Sequence, residues 1–520
     1  MTKRFVIRLT GLVLFVFTLY QQSGGQNKLT LHPELARDTI QKEIYGHFAE
    51  HLGRCIYGGI YVGEDSPIEN IRGFRADVIR ALREMKIPVL RWPGGCFADT
   101  YHWKDGIGPI ADRPTIVNVH WGGVTEDNSF GTHEFLDFCE LIGAEPYVNI
   151  NVGSGSVREA SEWVEYITSG NDSPMTRLRR QNGRENPWKV KYFGIGNETW
   201  GCGGNMSPEY YTDLYRQFAS YCFGADYLIA SGANAGDYRW TEVMMDRMKG
   251  YQWMMQGLSL HYYTVPGESW EHKGSATQFD EKAWHTTMKK ALRMERLITR
   301  HSEIMDRYDP DKNVGLILDE WGNWHDVEPG TNPGFLYQQN TIRDALTAAI
   351  NLNIFNDHCD RVKMANIAQM VNVLQSVILT RDDQLVLTPT YYVFKMYTVH
   401  QGALMIPADI ESEDYILDGD TIPSLHASAS RKDGVVSITL CNLNPQKSIS
   451  VEIECPELDF IAADGSVIQG KAMNDYHDFG QPGTVNIQPF ALPEPRRSPY
   501  VIELPARSVV RVGLTVGGWQ

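Results

Sequence analysis

The 520-residue sequence predicts a (β/α)8 TIM barrel followed by a C-terminal antiparallel β-sandwich. From about residue 40 to residue 400, short apolar runs alternate with longer amphipathic runs, which is the pattern of parallel strands joined by crossover helices. Eight such apolar runs occur, the number that closes a parallel barrel. After about residue 400, apolar and polar residues alternate with a period of two between Gly, Pro and Asp-Gly turns, which favours antiparallel strands.

The eight apolar runs are the predicted barrel strands. In chain order they are IYGHFAEH, IPVLRWPGG, EPYVNINVG, VKYFGIGNE, YLIASGAN, GLSLHYY, VGLILDEW and VKMANIAQMVN. Helical patterns separate them, and Ser207 with Pro208 supplies an N-cap and a first helical residue for one of these helices. A doubly wound open sheet is the alternative, but no GxGxxG motif or phosphate-binding loop follows the first strand.

Four segments are predicted along the chain. They are a signal peptide at 1–25, a strand-bearing segment at 26–45 that packs on the sandwich, the barrel at 46–401, and a jelly-roll-like sandwich at 402–520. The first segment has basic residues before an apolar run of about 12 residues, which is shorter than the ~20 residues needed to span a bilayer. We therefore expect export to the periplasm or the exterior, with no membrane insertion after removal of the signal.

Composition excludes several classes of protein. The sequence has 42% hydrophobic and 22% charged residues, which is ordinary globular composition. Its net charge of −16 argues against a nucleic-acid binder or a protein that binds anionic membranes, since both need clustered Lys and Arg. The eight Cys residues form no CxxC motif. Two interpretations remain open for them: a bridge between Cys202 and Cys222, or buried free thiols.

Polar and aromatic residues gather where the predicted strands end. Active sites of (β/α)8 barrels lie at this carboxyl-terminal face. The strand-end residues include Glu50, Arg91, Trp92, Asn149, Asn151, Asn197, Glu198, Asn234, His261, Tyr263, Asp319, Glu320, Asn366 and Gln369. Amides and acids hydrogen-bond hydroxyl groups, and aromatic rings stack on sugars. No Cys/His cluster or glycine-rich phosphate loop competes with them, so no metal or cofactor is expected.

Glu198 and Glu320 are the predicted catalytic pair. They end the fourth and seventh strands, so they project across one barrel mouth, where two carboxyl groups about 5 Å apart suit a retaining glycosidase. The nearby Trp200, Trp321 and Trp324 would lower the local polarity and favour a protonated acid. For either glutamate alone, a structural ion pair is the alternative interpretation.

Four motifs carry a resemblance to a known family. They are FAEHLGRCIYGGIY, RWPGGCFADTYHWKDGIGP, GIGNETWGCGG and LDEWGNW, in this order along the chain. Together they resemble the α-L-arabinofuranosidases of glycoside hydrolase family 51, from about residue 28 to the C-terminus. The resemblance implies the barrel and sandwich predicted above, and many members of the family are oligomers, so a homo-oligomer is expected.

The resemblance also implies roles for individual residues. Glu198 corresponds to the family's acid/base and Glu320 to its nucleophile. The implied sugar-binding residues are Glu50, Asn197, Tyr263 and Gln375, with Cys96 in the loop after the PGG motif. Trp92, Trp103 and Trp200 are further candidates for stacking on sugar, with a place in the core as the alternative for each.

The expected function is that of an exported, retaining, exo-acting α-L-arabinofuranosidase on arabinoxylan, arabinan or their oligosaccharides. An endo-acting glycanase and a non-catalytic polysaccharide-binding protein are the alternatives. A third alternative comes from HFAEH at residues 47–51, which matches the H-x-x-E-H pattern of zinc peptidases. That chemistry needs a helix, and the flanking glycines disfavour one.

Overall fold

The computed structural model describes residues 27–456, 458–481, 483, 485–494 and 499–517. The predicted signal peptide, residues 1–25, lies outside these ranges. Within them, no helix combines the length and the apolar character needed to cross a membrane.

Eight parallel strands close into a barrel, which confirms the predicted fold class. In chain order the barrel strands are β1 Gly46–Phe48, β2 Val89–Trp92, β3 Glu145–Ile150, β4 Tyr192–Ile195, β5 Tyr227–Asn234, β6 Gly257–Thr264, β7 Gly315–Asn323 and β8 Val362–Ala368. Each strand pairs in parallel with the next, and β8 pairs with β1 to close the ring. This closure brings the carboxyl ends of distant segments to a single face of the molecule.

At least one helix follows each barrel strand along the chain. The helices are α1 Ala76–Met85, α2 Thr132–Ile142, α3 Val157–Thr168, α4 Pro174–Gln181, α5 Pro208–Ala219, α6 Tyr238–Arg247, α7 Glu281–Tyr308, α8 Ile342–Asp357 and α9 Pro389–Tyr397. The N-cap predicted for α5 is confirmed, because the Ser207 hydroxyl accepts from the Tyr210 amide with Pro208 at the first helical position. Short 3-10 helices lie at Pro33–Leu35, Lys42–Tyr45, Cys96–Thr100, Trp103–Gly106, Ile110–Asp112, Gln252–Met254, Pro333–Phe335 and Thr398–His400.

Two sheets form the C-terminal part of the protein. One has the strand order Leu404–Ile406, Leu425–Lys432, Val435–Asn442, Ser508–Val516, Phe460–Gln469 and Gln488–Pro489. The other has the order Ala408–Glu411, Asn27–Leu31, Ile449–Glu454 and Tyr500–Leu504. The N-terminal strand Asn27–Leu31 thus lies inside a C-terminal sheet, and its Leu29 and Leu31 belong to the apolar core between the two sheets. Two-stranded hairpins pair Asn70–Ile71 with Phe74–Arg75, Ile116–Val117 with Thr125–Glu126, Ile378–Arg381 with Gln384–Leu387, and Asp414–Leu417 with Asp420–Pro423.

The interior of the barrel is filled below the site. A separate apolar cluster contains Val89, Tyr147, Tyr192, Ile229, Ile317 and Met364, from six different barrel strands. Because these side chains pack the barrel interior, polar side chains near the carboxyl ends of the strands rest on a rigid base. The fold therefore provides a packed base for the polar groups at the carboxyl ends of the strands.

Candidate active site

A cavity of about 490 Å³ opens at the carboxyl ends of the barrel strands. Its lining contains both acidic and aromatic side chains. The lining residues are Glu50, Leu52, Gly95, Cys96, Trp121, Glu198, Trp200, Asn234, Ala235, Tyr262, Tyr263, Trp270, Glu320, Trp324, Leu336, Gln369 and Leu374. Such a concave, mainly apolar cavity with a few converging polar groups is typical of a site for a small ligand.

The two predicted catalytic glutamates meet in this cavity. Glu198 follows β4, Glu320 lies in β7, and carboxylate oxygens of the two residues lie within 4.8 Å of one another and of a His261 ring nitrogen. The backbone of the loop after β2 also comes close to Glu320, since a Cβ at Gly95 would lie 2.8 Å from Glu320 Oε1. A side chain at this position would therefore displace the Glu320 carboxylate.

Glu320 is buried, and both of its carboxylate oxygens accept hydrogen bonds. Arg91 Nη1 donates to Oε1 at 2.8 Å, and the Tyr263 hydroxyl donates to Oε2 at 2.8 Å. The same guanidinium donates to Asn197 Oδ1 at 2.6 Å, so Arg91 connects the ends of β4 and β7. A buried carboxylate that accepts from a cation and from a hydroxyl group is fixed in direction.

His261 lies between three acids. Its Nδ1 is 2.9 Å from Glu198 Oε1, and its Nε2 is 3.0 Å from Asp319 Oδ1. Burial alone would lower the pKa of His261, but the charges of Glu320 and Asp319 raise that pKa to about 10. The imidazole is therefore a cation that donates from both nitrogens.

The environment of Glu198 differs from that of Glu320. Burial raises the pKa of Glu198, the negative charge of Glu320 raises it further, and the hydrogen bond from His261 opposes both effects. The acid is thus shifted toward its protonated form while Glu320 keeps a cation on one oxygen. Two neighbouring carboxyl groups with unlike surroundings are the arrangement expected of an acid and a nucleophile.

Glu50 forms a second acidic centre in the same cavity. Its Oε1 accepts from the amides of Gly95 and Phe97, each at 3.0 Å, and from Trp121 Nε1 at 2.9 Å, while Gln369 Nε2 donates to Oε2 at 2.9 Å. Burial raises the pKa of Glu50 to about 7, with Glu320 contributing in the same direction. Its carboxylate is therefore rigidly placed, and Oε2 keeps the capacity to accept from a ligand hydroxyl.

The structure brings together most of the predicted site residues. Glu50, Cys96, Glu198, Trp200, Tyr263 and Glu320 line the cavity, and Asn197 is buried beside it. Gln369 was predicted to lie at a strand end but was not assigned a ligand role, and neither Trp121 nor Trp270 was selected from the sequence as a site residue. The position of Gln369 directly after the eighth strand could have identified it as a site residue. Trp121 and Trp270 lie in irregular loops, where no periodicity marks a residue.

Several predicted contacts are wrong. Trp92 is in the core, where its ring stacks on Phe135 at 4.8 Å between centroids and its Nε1 donates to His51 Nε2. Successive strand residues face opposite sides, so with Arg91 turned into the barrel, Trp92 faces the helices. Trp321, for which no sugar contact was predicted, follows Glu320 in β7 and is also buried. Trp103 is also in the core and stacks on another tryptophan.

Gln375 does not reach the cavity either. It is fully buried, its Oε1 accepts from the Asn323 amide at 2.7 Å, and its Nε2 donates to the Asp344 carbonyl at 2.6 Å. Both ends of the amide are therefore used to join the end of β7 to the start of α8. The implied sugar contact is corrected to a structural role.

The predicted Cys202–Cys222 bridge is wrong, whereas Cys222 is a buried thiol, as the other interpretation had it. Cys96 and Cys202 form a disulfide with their Cα atoms 5.5 Å apart, although 106 residues separate them in the chain. Cys222 is buried and takes no part in it. The bridge joins the loop after β2 to the loop after β4, and Cys202 Sγ lies 3.7 Å from Glu198 Oε2.

The segment that matches a zinc-peptidase motif is not helical. His47 lies in β1, and its ring packs on Phe394. Both of its ring nitrogens are buried and have no hydrogen-bond partner among the described residues. His51 accepts from Trp92. Neither histidine belongs to a cluster of potential metal ligands within the described part of the chain, so the zinc-peptidase interpretation has no structural basis.

Arg91 provides a test of the buried charges. We expect Arg91→Met to lower the free energy of unfolding by about 3–5 kcal/mol, because it removes the guanidinium from the buried carboxylates of Glu320 and Asp319 and leaves only His261 beside them as a cation. Urea unfolding followed by tryptophan fluorescence measures the change. As a control, Arg72→Met removes an exposed ion pair with Asp137 and should cost no more than about 1 kcal/mol. Equal losses in the two variants would contradict the proposed electrostatic role.

Two family descriptions match long parts of the chain. Residues 81–292 match the α-L-arabinofuranosidase 1 domain, and residues 319–508 match the α-L-arabinofuranosidase C-terminal domain. An intracellular exo-α-L-arabinofuranosidase from Bacteroides ovatus is 53% identical over 94% of this chain and 95% of its own length. A probable α-L-arabinofuranosidase C from Aspergillus terreus is 34% identical over 82% of this chain and 87% of its own length.

Solved structures agree with these matches. The family 51 arabinofuranosidase from Xanthomonas axonopodis pv. citri superposes with a TM-score of 0.92 at 47% identity, over 94% of this chain and 100% of that one. An arabinose complex of α-L-arabinofuranosidase from Thermotoga maritima gives a TM-score of 0.82 at 29% identity, with the same coverage of each chain.

The predicted export from the cell is wrong by this comparison. The Bacteroides ovatus relative, which matches nearly the whole chain, is named an intracellular enzyme. The sequence-based prediction depended entirely on the basic and apolar N-terminal segment, which lies outside the described residues.

Proposed function

Because the chain belongs to the α-L-arabinofuranosidases of glycoside hydrolase family 51, we propose that it is an exo-acting, retaining enzyme. Its proposed products are terminal arabinofuranosyl residues released from arabinoxylan, arabinan or their oligosaccharides. The observation that carries the mechanism is the separation of the carboxylate oxygens of Glu198 and Glu320, which is below 4.8 Å. Retaining glycosidases hold their two carboxyl groups about 5–5.5 Å apart, whereas inverting ones need about 6.5–9.5 Å to admit a water molecule.

In the first step, Glu320 attacks the anomeric carbon of the bound sugar. Glu198 donates its proton to the glycosidic oxygen as the bond to the leaving group breaks, and a glycosyl ester on Glu320 results. Arg91 and Tyr263 hold the attacking carboxylate in one orientation. Because these donors are already in place, little reorganisation is needed when charge moves.

In the second step, Glu198 acts as a base. It takes a proton from water, the water oxygen bonds to the anomeric carbon, and the ester bond to Glu320 breaks. The protonated Glu198 is then ready for another cycle. His261 stays between the two carboxyl groups throughout and balances the negative charge that passes from one to the other.

The cavity supports exo action. Its volume of about 490 Å³ is within the range for a small ligand, and Trp270 and Trp324 pack edge to face at 4.8 Å between ring centroids on its wall. Glu50 and Asn197 are the proposed hydroxyl ligands of the single sugar at its base. The name of the Bacteroides ovatus relative, an exo-enzyme, points in the same direction.

The proposal is tested with a panel of aryl glycosides and with linear arabinan. We expect hydrolysis of the aryl arabinofuranoside but not of the aryl xyloside or glucoside, and monosaccharide as the only early product from arabinan. NMR of the first-formed sugar should show the anomer of the substrate. Early oligosaccharides would indicate endo action, an inverted anomer would overturn the mechanism, and binding without turnover would indicate a non-catalytic protein.

The pH dependence of the reaction should reveal the part played by His261. In His261→Gln the group that lowers the pKa of Glu198 is lost, while burial and Glu320 still raise it. Glu198 then stays protonated to higher pH, so the high-pH limb of the kcat/KM profile should move upward, with a lower maximum. The control is His285→Gln, a buried histidine that packs on Tyr415 away from the cavity and should leave the profile unchanged. A downward shift in His261→Gln would refute this assignment.

A further inference from the structure

We infer that reduction of the Cys96–Cys202 disulfide creates a binding site for Zn²⁺ or a similar thiophilic divalent cation, and that Glu198 is the third protein ligand of the bound cation. The inference rests on the proposed function only in that Glu198 is taken as the acid/base. Sγ of Cys96, Sγ of Cys202 and a carboxylate oxygen of Glu198 all lie within 4.8 Å of one another. Two thiolates and a carboxylate form a ligand set that zinc accepts.

The spacing suits tetrahedral zinc. With Zn–S near 2.3 Å and Zn–O of 2.0–2.2 Å, sulfur and oxygen ligands of a tetrahedral zinc ion lie about 3.5–3.7 Å apart. Cys202 Sγ is already 3.7 Å from Glu198 Oε2. Cys96 and Glu198 both line the cavity, so a cation and a fourth water ligand can enter from solvent.

The neighbouring groups favour this set over the other acidic cluster of the site. His261 is engaged on both ring nitrogens by Glu198 Oε1 and Asp319. Glu320 has its two oxygens occupied by Arg91 and Tyr263. The remaining oxygen of Glu198 faces the sulfur of Cys202, so the free coordinating groups point toward the bridge.

The redox step is a thiol–disulfide exchange. A dithiol reductant supplies two electrons and two protons, closes into its own disulfide and leaves Cys96 and Cys202 as thiols. The metal ion then replaces the two thiol protons, which pass to solvent. In the oxidised protein the two sulfur atoms are bonded to each other and cannot act as thiolate ligands, so only the reduced protein has the metal site. A carboxylate of Glu198 that is coordinated to the metal ion could not transfer a proton, so hydrolysis would stop.

The test compares oxidised and reduced protein. Protein is reduced with a dithiol, freed of it by anaerobic gel filtration and titrated with Co²⁺ as a spectroscopic probe. We expect a sulfur-to-cobalt charge-transfer absorption that saturates at one equivalent in the reduced sample and is absent from the oxidised one. A reduced sample without this absorption would overturn the inference, and this arm needs no substitution and no activity.

Inhibition by Zn²⁺ links the site to the reaction. Hydrolysis of an aryl arabinofuranoside should be inhibited by Zn²⁺ in the reduced protein, and oxidation should raise the half-inhibitory concentration by at least about tenfold, since loss of even an outer-shell partner costs about 10–100-fold in metal affinity. Cys202→Ser should behave like the oxidised protein under reducing conditions. The control Cys222→Ser should keep the redox dependence. Equal inhibition of the reduced protein, the oxidised protein and both variants would place the metal elsewhere and refute the inference. Cobalt binding by a protein that has no hydrolytic activity would refute the proposed function alone.

Discussion

Replacing Glu320 with alanine should lower kcat/KM by at least about four orders of magnitude on every arabinofuranoside, since Glu320 is the proposed nucleophile that forms the covalent intermediate. The loss should not depend on the leaving group, because the nucleophile is needed whether or not the leaving oxygen is protonated. Steady-state kinetics on aryl arabinofuranosides and on arabino-oligosaccharides measures both quantities.

The matched control for this variant is Glu303→Ala. Glu303 lies on α7, where it forms an exposed ion pair with Arg300, so its removal should leave kcat/KM within about twofold of the wild type. Full activity of Glu320→Ala on a reactive aryl glycoside would assign the nucleophile to another residue. Circular dichroism of the two variants separates a catalytic loss from unfolding.

Glu198→Ala should discriminate between substrates. Hydrolysis of natural oligosaccharides should fall by about 10²–10⁴-fold, because their leaving oxygen needs a proton. For dinitrophenyl arabinofuranoside, whose leaving group departs as an anion, kcat/KM should change far less, since this ratio reports only the steps up to formation of the glycosyl-enzyme. The second step lacks its base and becomes slow, so a burst of dinitrophenol should precede the steady state.

The accumulated intermediate gives an independent check on both glutamates. Intact-mass measurement of Glu198→Ala during the burst should show one added pentosyl unit, and peptide mapping should locate it on Glu320. Added azide should restore turnover by replacing water as the nucleophile in the second step. Equal losses on natural and activated substrates would contradict the role proposed for Glu198.

The sequence predicted the barrel and the acids at its mouth because both follow from local patterns. Strand and helix periodicity depend on the nearest residues, and parallel closure then sends every strand end to one face. For this reason Glu198 and Glu320 were selected together although they are 122 positions apart in the chain numbering. The position of Glu50 followed from the same argument.

The errors arose where a side chain's direction depends on distant contacts. Arg91 and Trp92 are adjacent, and residue type alone does not say which one enters the barrel. The structure turns Arg91 inward, where it binds Glu320 and Asn197. Trp121 reaches Glu50 from a loop held by Asn118, whose side chain donates to the His51 carbonyl. Such placements depend on tertiary contacts that no periodicity records.

The order of synthesis adds a constraint on how this protein matures. The strand Asn27–Leu31 sits between Ala408–Glu411 and Ile449–Glu454, so both its neighbours are translated hundreds of residues later. At about 5–20 residues per second, the ribosome needs roughly 20–90 s to deliver the second neighbour. During that interval the apolar side chains of this early strand have no sheet to join. A nascent chain stalled before residue 449 should therefore be a better chaperone client than the released protein.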